Sequence, residues 1–386
     1  MNIIPTAKRI QTIGTSIFST MSKLAVEFKA VNLGQGFPDF DGPAWIMQEA
    51  FEAMKQGKNQ YAPMPGILSL RKEIQKYYQY YYGLDFNADS EITVTAGATE
   101  ALFCAILSTV DAGDEVIMFE PYYDSHQADV ILAGGVPRYV TLNKPDFSFD
   151  FDELEKSITN KTKMLILNNP HNPSGKVYTI DELNFIASLA IKHNLIVISD
   201  EVYEFITYDR IKHTPIATIP GMKERTITIS SSGKTFSMTG WKIGFASAVP
   251  QFTDAIRKVH QWTTFAVSTP AQHAMAYAFS KIEEYLPEFQ KMYESKRNLI
   301  YNLLKNTTFK PHKPDGSYFI MADIPSHVKS NDTDFSIELV KKYGVATIPP
   351  SVFYGKSDEG KTMLRLCFAK KDETIIDGIN RLSKWH

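Results

Sequence analysis

Residues 230–244, SSSGKTFSMTGWKIG, contain the lysine that decides how the whole chain is interpreted, Lys234. The preceding segment at 225–230, RTITIS, is rich in β-branched residues and predicts a buried strand. A lysine within Gly-Lys-Thr at the end of such a strand has two chemical uses. It holds a phosphate in a nucleotide-binding loop, or its amine forms an imine with a carbonyl compound.

Spacing excludes the nucleotide-binding loop. Its pattern G-x-x-x-x-G-K-[ST] requires a glycine five positions before Gly233, and Thr228 stands there. Gly240 and Gly244 also interrupt the helix that would have to follow the loop. The segment GQGFPD at 34–39 likewise lacks the third glycine and the helix start of a dinucleotide-binding turn. The imine-forming lysine therefore remains.

The composition is that of an ordinary globular protein. The chain has 386 residues, of which 44% are hydrophobic and 22% are charged, and this length favours two lobes. The 41 basic and 43 acidic residues leave a net charge of −2, which gives no reason to expect nucleic acid or a membrane surface as a partner. Cys104 and Cys367 have no neighbours at metal-ligand spacing, so no metal site is expected. We recognise no secretory signal and expect a soluble, cytoplasmic protein.

Strand and helix patterns alternate along the first two thirds of the chain. Buried strands are predicted at 91–95, 114–120, 163–169, 195–200, 225–230 and 242–249. One of the intervening helices begins with Thr179 three residues before Glu182, which is the spacing of a capping box. Buried strands separated by helices predict an α/β fold, in which a mostly parallel, mixed central sheet is covered by helices on both faces.

The last third of the chain has a different pattern. A long helical stretch is predicted at roughly 250–306, followed by shorter strands and helices that indicate a smaller α+β domain. The strands of that domain are predicted in GSYFIMADI (316–324), GVATIPP (344–350) and MLRLCFA (363–369). We expect an N-terminal segment at 1–47 that contributes to the small domain and the substrate entrance, a large domain at 48–284, and a small domain at 285–386.

The residues that follow the predicted strands form one chemical set. In chain order these are Gly97, Ala98 and Thr99 at a helix start, Tyr123, the amides Asn168, Asn169 and Asn172, the carboxylate Asp200, and Lys234. Ligands of open α/β sheets bind outside the carboxyl ends of the strands, and a helix start of small residues binds anions. Each feature alone is also common in surface turns. Together they predict a site for a flat, phosphorylated, protonatable heterocycle that carries an aldehyde.

Three further segments decide the family resemblance. NPHNPSG (169–175), SDEVY (199–203) and the opening stretch occur with the order and spacing of class I/II pyridoxal-phosphate-dependent aminotransferases of fold type I. NLGQGFPDFDGP, NQYAPMPGILSLR, VTAGATEAL and MLRLCFA match as well, so the chain resembles this family along nearly its whole length. LGQGFPDF and SGKTFSMTGWK are most similar to the methionine, kynurenine and glutamine (transaminase K) group. The resemblance implies pyridoxal 5′-phosphate as the cofactor.

The resemblance also assigns the cofactor contacts. Lys234 would hold the cofactor as an imine and then carry the proton between the substrate Cα and the cofactor. Asp200 would pair with the ring nitrogen and keep it protonated. The other contacts would come from Tyr203, Asn172, Tyr123, Ala98, Thr99, Ser231 and Lys242. Lys242 stands where many relatives have arginine, which keeps the charge but loses the bidentate geometry.

The remaining roles concern the substrate and a second subunit. Arg365 would bind the substrate α-carboxylate as a planar fork, assisted by Asn172 and by the backbone around Gly36. Tyr61 would reach the phosphate in the neighbouring subunit, which implies a homodimer with shared sites. The pocket for the substrate side chain would be lined by Phe18, Tyr61, Tyr123, Phe265 and Phe353.

These roles lead to an expected reaction. We expect a ping-pong transamination that moves the amino group of methionine, phenylalanine, tyrosine, kynurenine or glutamine to a 2-oxo acid, because an aromatic lining suits such side chains better than aspartate. A cysteine-S-conjugate β-lyase that uses the same residues is the alternative. A non-catalytic regulatory protein is a second alternative, but such proteins usually carry a DNA-binding module, for which 386 residues leave no spare length.

Overall fold

The computed structural model describes residues 6–11, 13–14 and 16–385. Its strands are β1 (Val31–Asn32), β2 (Ile92–Ala96), β3 (Glu115–Glu120), β4 (Val136–Thr141), β5 (Thr162–Asn168), β6 (Ile196–Asp200), β7 (Thr226–Ser231), β8 (Ile243–Ser247), β9 (Lys310–His312), β10 (Phe319–Asp323), β11 (Val345–Ala346) and β12 (Met363–Cys367).

The α-helices are α1 (Lys8–Gln11), α2 (Ile17–Glu27), α3 (Ala44–Lys55), α4 (Leu68–Tyr82), α5 (Gly97–Leu107), α6 (Asp124–Ala133), α7 (Phe151–Ser157), α8 (Ile180–Lys192), α9 (Ser232–Thr235), α10 (Pro250–Thr263), α11 (Thr269–Ser280), α12 (Ile282–Lys305), α13 (Asp332–Glu338) and α14 (Asp372–Leu382). Short 3₁₀ turns occupy Ile216–Thr218, Lys223–Arg225, Thr239–Trp241, Pro350–Phe353 and Glu359–Thr362, and a π-helical turn spans Leu339–Tyr343.

A seven-stranded sheet forms the centre of the molecule, in the order β2-β8-β7-β6-β5-β3-β4. The neighbours from β4 to β7 run parallel, whereas β8 runs antiparallel to both β2 and β7. The connection from β7 to β8 contains only the four-residue helix α9 and a 3₁₀ turn. A parallel crossover needs a dozen or more residues and usually a full helix, so β8 returns antiparallel. The predicted mixed, mostly parallel sheet is confirmed.

Both faces of this sheet are covered, as the runs of apolar residues in its strands require. Side chains alternate along a strand, and in β3 Val116 and Met118 pack with α5 while Ile117 and Phe119 pack with α8. At the other side of the sheet, Val94 of β2 and Phe245 of β8 are buried in one cluster with residues of α4 and α11. The capping box predicted at the start of α8 is present, with Thr179 as the capping residue. The α/β/α layering therefore follows from strands that are apolar on both sides.

The C-terminal part of the chain builds smaller sheets. An antiparallel sheet has the order β12-β10-β9, and β1 pairs in parallel with β11 through Val31 and Val345. The N-terminal segment thus lies beside the C-terminal strands. The predicted domain boundaries at 47/48 and 284/285 lie inside α3 and α12, and the division into domains stays a prediction.

Several elements differ from the sequence interpretation, among them the short strands β1 and β9, which were not predicted. The strand β4 was not predicted, because Pro137 interrupts its apolar pattern; the strand lies at the edge of the sheet, where proline is tolerated. The long helical stretch is three helices, α10 to α12, with an irregular connection at 264–268. Phe265 in this connection adopts a positive φ of 68°, and no glycine marks the break in the sequence.

Candidate active site

A cavity of about 290 Å³ opens at the carboxyl ends of the parallel strands, between the central sheet and the C-terminal strands. Its size lies near the lower end of the roughly 300–1,000 Å³ that ligand pockets occupy. It is lined by fourteen of the residues predicted from the sequence, namely Phe18, Gly36, Gly97, Ala98, Thr99, Tyr123, Asn168, Asn172, Asp200, Tyr203, Ser231, Lys234, Lys242 and Arg365. Residues that are far apart in the chain therefore share one cavity.

Lys234 projects from α9, which follows directly after β7. Its Nζ donates a hydrogen bond to the hydroxyl of Tyr318 at 2.9 Å. Removal from water lowers the pKa of Lys234 to about 8, and the positive charges of Lys242 and Arg365 act in the same direction. About a tenth of the amine is therefore neutral at pH 7, far more than for an ordinary lysine, and the neutral amine is the form that attacks a carbonyl carbon.

Asp200 ends β6 and is buried, with its side chain against a histidine. The ring nitrogen Nε2 of His126 lies 3.1 Å from Oδ2 of Asp200. A buried carboxylate needs such a partner. His126 was not identified from the sequence, and the one available signal was its position on α6, one helical turn after Tyr123. Among the described residues that line the cavity, Asp200 is the single acidic side chain.

Two asparagine amides connect the backbone of Asp200 to Arg365 of β12. Asn168 donates from Nδ2 to the backbone carbonyl of Asp200 at 2.9 Å and accepts from the backbone N–H of Asn172 at 2.7 Å. The side-chain carbonyl of Asn172 accepts a hydrogen bond from Arg365 at 3.1 Å. The amide NH₂ group of Asn172 is therefore the part left to donate to a ligand in the cavity.

One end of the cavity, the phosphate end, is formed by Gly97, Ala98, Thr99, Ser231 and Lys242. Gly97 begins α5 with a φ of +75°, and a Cβ atom added there would lie 2.9 Å from Nζ of Lys242. A side chain at this position would fill the space between the helix start and the lysine. A helix start, two hydroxyl groups and a lysine form an arrangement suited to an anion.

The opposite end, the substrate end, centres on Arg365 of β12, which is 1% exposed. Its Nη2 donates to the backbone carbonyl of Gly34 at 2.8 Å, its Nε has no hydrogen-bond partner among the described residues, and burial lowers its pKa. The guanidinium lies 4.3 Å from the ring centre of Phe319, 4.9 Å from that of Phe18 and 5.5 Å from that of Phe353. No salt bridge to Arg365 occurs within the described chain, so a carboxylate bound in the cavity would be the first anion in direct contact with this buried cation.

Three predicted pocket residues do not line the cavity. Phe353 lies behind it and packs against Phe18 with ring centres 5.8 Å apart. Tyr61 is 85% exposed and meets Phe265 edge to face at 5.6 Å, away from the cavity. The proposed contacts of Tyr61 and Phe265 with a substrate or a neighbouring subunit stay predictions.

The sequence also left several lining residues unidentified. Gln35, Phe37 and Phe319 line the cavity, and Tyr318 contacts Lys234. Tyr318 and Phe319 belong to a segment that predicts a plain core strand, and nothing local shows that the hydroxyl of Tyr318 reaches the lysine.

Two other kinds of site, a membrane span and a metal centre, do not occur in the ranges that the structure describes. None of the helices in these ranges has the length and the apolar surface that a membrane span requires. Among the described residues, no group of three or more His, Cys, Asp or Glu side chains is arranged to hold a metal ion.

Known proteins are similar to this chain in sequence and in fold. A sequence model of the family described as aminotransferase class I and II matches residues 29–382. Methionine aminotransferase of Escherichia coli (strain K12) is 41% identical over 380 residues, which are 98% of this chain and 98% of that protein. Kynurenine–oxoglutarate transaminase of Dictyostelium discoideum is 40% identical, over 98% of this chain and 96% of its own length.

A solved structure agrees with these sequence matches. N-succinyldiaminopimelate aminotransferase of Mycobacterium tuberculosis superposes with a TM-score of 0.95 at 39% identity, covering 98% of this chain and 100% of that one. The three relatives match nearly the full length of the chain at similar identity, although their names specify three different amino donors. The chain therefore belongs to the class I and II aminotransferase family.

Proposed function

We propose that this aminotransferase uses pyridoxal 5′-phosphate to move the amino group of methionine or of a large or aromatic amino acid to a 2-oxo acid in a ping-pong reaction. One observation carries the choice of substrate. Three basic side chains line the cavity, and each already has a proposed role: Lys234 at the centre bonds to the cofactor, Lys242 binds the phosphate, and Arg365 binds the α-carboxylate of the substrate. None is left among the described lining residues for a second carboxylate on the substrate.

The residues present fit this cofactor. The space at Gly97, where a Cβ would approach Lys242, suits a phosphate beside a helix start. Asp200, buried beside His126, suits a protonated ring nitrogen, and Tyr123 supplies a ring at the side of the cavity. When bound, pyridoxal phosphate supplies an aldehyde for an amine and a protonated ring that withdraws electrons from the substrate Cα.

Each residue that lines the cavity would then have its own role in the reaction. Lys234, with a pKa of about 8, would anchor the cofactor and, once released by the substrate amine, would take up the proton from Cα and return it on the cofactor side. Asp200 would hold the proton on the ring nitrogen, and Tyr203 and Asn172 would donate hydrogen bonds to the ring oxygen. Arg365 and the amide of Asn172 would orient the substrate α-carboxylate. Phe18 and Phe37 would exclude water from the substrate end.

Two of the three relatives are named for amino donors whose side chains carry no second carboxylate, and the third is not. Methionine and kynurenine, named for two of them, have side chains without a second carboxylate on the far side. N-succinyldiaminopimelate, named for the third, carries an additional succinyl carboxylate. The aromatic and uncharged surface around Arg365 favours the first two.

We further propose a homodimer in which Tyr61 reaches the site of the neighbouring subunit. Its 85% exposure and the exposed apolar residues Met47, Phe51 and Met54 on one face of α3 support this proposal. Light scattering of the purified chain measures the assembly, and a monomer at micromolar concentration would contradict the proposal. A cytoplasmic location stays a prediction.

The experiment that tests the function combines a spectrum with a donor panel. The absorbance of the purified protein is recorded before and after methionine, and borohydride trapping with peptide mapping then identifies the modified lysine. Steady-state kcat/KM is compared for methionine, phenylalanine, kynurenine, glutamine, aspartate and N-succinyldiaminopimelate. We expect labelling on Lys234 and the highest kcat/KM for one of the first four donors. If aspartate or N-succinyldiaminopimelate gave the highest value, the proposed substrate class would be wrong.

A further inference from the structure

Tyr318 lies where three separate parts of the chain meet. It precedes β10, and its hydroxyl accepts a hydrogen bond from Nζ of Lys234 at 2.9 Å and donates one to the backbone carbonyl of Gly36 at 2.7 Å. The phenol has a single proton, and a carbonyl can only accept, so the direction of both hydrogen bonds is fixed. The lysine amine is thereby connected through one hydroxyl to the backbone of the substrate end.

The ring that carries this hydroxyl is held firmly. It is 1% exposed, stacks on Tyr293 with ring centres 5.9 Å apart, and meets Tyr203 edge to face at 5.0 Å. Burial raises the pKa of the Tyr318 phenol well above its usual value, so the hydroxyl keeps its proton. The oxygen is therefore a fixed, uncharged acceptor beside a flexible four-carbon side chain.

We propose that Tyr318 is a positioning residue for Lys234: its hydroxyl holds the lysine amine inside the cavity whenever the amine is not bonded to the cofactor. This inference rests on the proposed function, in which Lys234 is released and used again in each half-reaction. An amine that donates one hydrogen bond to a fixed acceptor loses much of its rotational freedom but keeps its lone pair for the proton of the substrate. Without the acceptor, the amine would have to find its working position by side-chain rotation in every turnover.

The first test does not require catalysis. In cofactor-free protein, the pH dependence of chemical labelling of Lys234, followed by peptide mapping, gives the midpoint at which the amine loses its proton. The oxygen of Tyr318 stabilises the ammonium form, so Tyr318→Phe should lower this midpoint by roughly one pH unit. The other ionisable groups around the amine, Cys367, Lys242, Asp200, Arg365 and Tyr203, are unchanged in this variant.

The second test measures the proton transfer in the holoenzyme. With methionine as the donor, Tyr318→Phe should lower kcat about tenfold while KM changes less than about twofold. The kinetic isotope effect from deuterium at the substrate Cα should increase, because proton transfer becomes more nearly rate-limiting. Tyr293→Phe is the matched control, since it removes a hydroxyl from the ring stacked on Tyr318 and leaves the bonds to Lys234 and Gly36 in place.

The outcomes separate this inference from the proposed function. A wild-type protein that does not transaminate any donor contradicts the proposed function, whereas the labelling midpoint still tests Tyr318. If Tyr318→Phe left both the midpoint and the isotope effect at wild-type values, or if Tyr293→Phe shifted them equally, the inference would be wrong. Should Tyr318→Phe fail to fold, 3-fluorotyrosine at position 318 keeps the ring and weakens the acceptor oxygen, and a smaller shift of the midpoint in the same direction is expected.

Discussion

The phosphate end and the substrate end of the cavity are built in different ways. The phosphate end consists of residues at strand ends of one sheet: Gly97 to Thr99 directly follow β2, Ser231 ends β7 and Lys242 directly precedes β8. The substrate end collects side chains from distant segments, among them Phe18 of α2, Phe319 of β10 and Arg365 of β12. The backbone of a sheet therefore fixes one end, and packing between separate segments fixes the other.

This difference bears on how substrates vary within the family. At the phosphate end a Cβ at Gly244 would collide with the backbone of Gly97 and Ala98, and a Cβ at Gly97 would be strained by its positive φ and would displace the amine of Lys242, so small changes are costly there. At the substrate end the guanidinium of Arg365 is surrounded by rings at 4.3 to 5.5 Å, and rings can be exchanged more readily than backbone. Relatives near 40% identity can therefore share the cofactor end and differ in the amino donor they are named for.

The largest loss of activity is expected when Lys234, which lies between the two ends, is replaced. Lys234→Ala should lower transamination by about 10⁴-fold or more, because both the anchoring amine and the proton carrier are lost. Thermal unfolding should stay close to wild type, since the side chain lies in a cavity. Activity with methionine and a 2-oxo acid, measured against the exposed-lysine variant Lys291→Ala, checks the effect. Normal turnover of Lys234→Ala would defeat the assignment of the whole site.

A smaller loss of kcat/KM is expected from a variant that changes the substrate end alone. Arg365→Lys should lower kcat/KM about 100-fold, or ~3 kcal/mol, because lysine cannot replace the two-pronged contact and leaves the carbonyl of Gly34 and the amide of Asn172 without their partner. The loss should be the same for methionine and phenylalanine, since both present the same α-carboxylate. Cofactor affinity should change little.

The control for this variant is Arg225→Lys, in which an arginine that donates to backbone carbonyls outside the cavity is replaced. A loss confined to one of the two donors would show that Arg365 recognises the side chain and not the α-carboxylate.

The contrast between the two ends also explains what the sequence could and could not predict. The strands were predictable because their apolar runs are local, and the phosphate end follows from the rule that ligands bind at strand ends. The side chains that surround Arg365 come together only through tertiary packing. His126 and Tyr318 carry little local signal. The one clue to His126 is its spacing from Tyr123 on α6, and Tyr318 directly precedes β10, whose sequence predicts a core strand. The strand β4 was missed for a related reason, since only its place at the sheet edge makes Pro137 acceptable.

A smaller effect tests whether the phosphate end is as tightly fixed as its geometry indicates. Gly97→Ala adds a Cβ at a position with φ of +75° and 2.9 Å from Nζ of Lys242, so Kd for pyridoxal phosphate should rise about tenfold or more. Absorbance titration of cofactor-free protein measures this Kd. Gly83→Ala is the matched control, with φ of +66° and open space around the added Cβ.

Both variants carry the backbone strain of a non-glycine residue at positive φ, so thermal stability should fall in each by about 1 kcal/mol. Only Gly97→Ala should bind the cofactor less tightly. If the two variants bound pyridoxal phosphate with equal affinity, the approach of Lys242 to Gly97 would not matter, and the rigidity ascribed to this end would be overstated.

The smallest effect concerns pH and the lysine between the two ends. Removal from water lowers the pKa of Lys234 to about 8, and the neutral amine is the reacting form, so its fraction grows as pH rises toward 8 and is nearly complete above 9. Covalent attachment of added pyridoxal phosphate to cofactor-free protein should therefore accelerate about fivefold from pH 7 to 8 and at most about twofold beyond. Stopped-flow absorbance measures these rates. A lysine with an ordinary pKa would instead gain about tenfold per pH unit through pH 9, and that result would show that the cavity does not desolvate the amine.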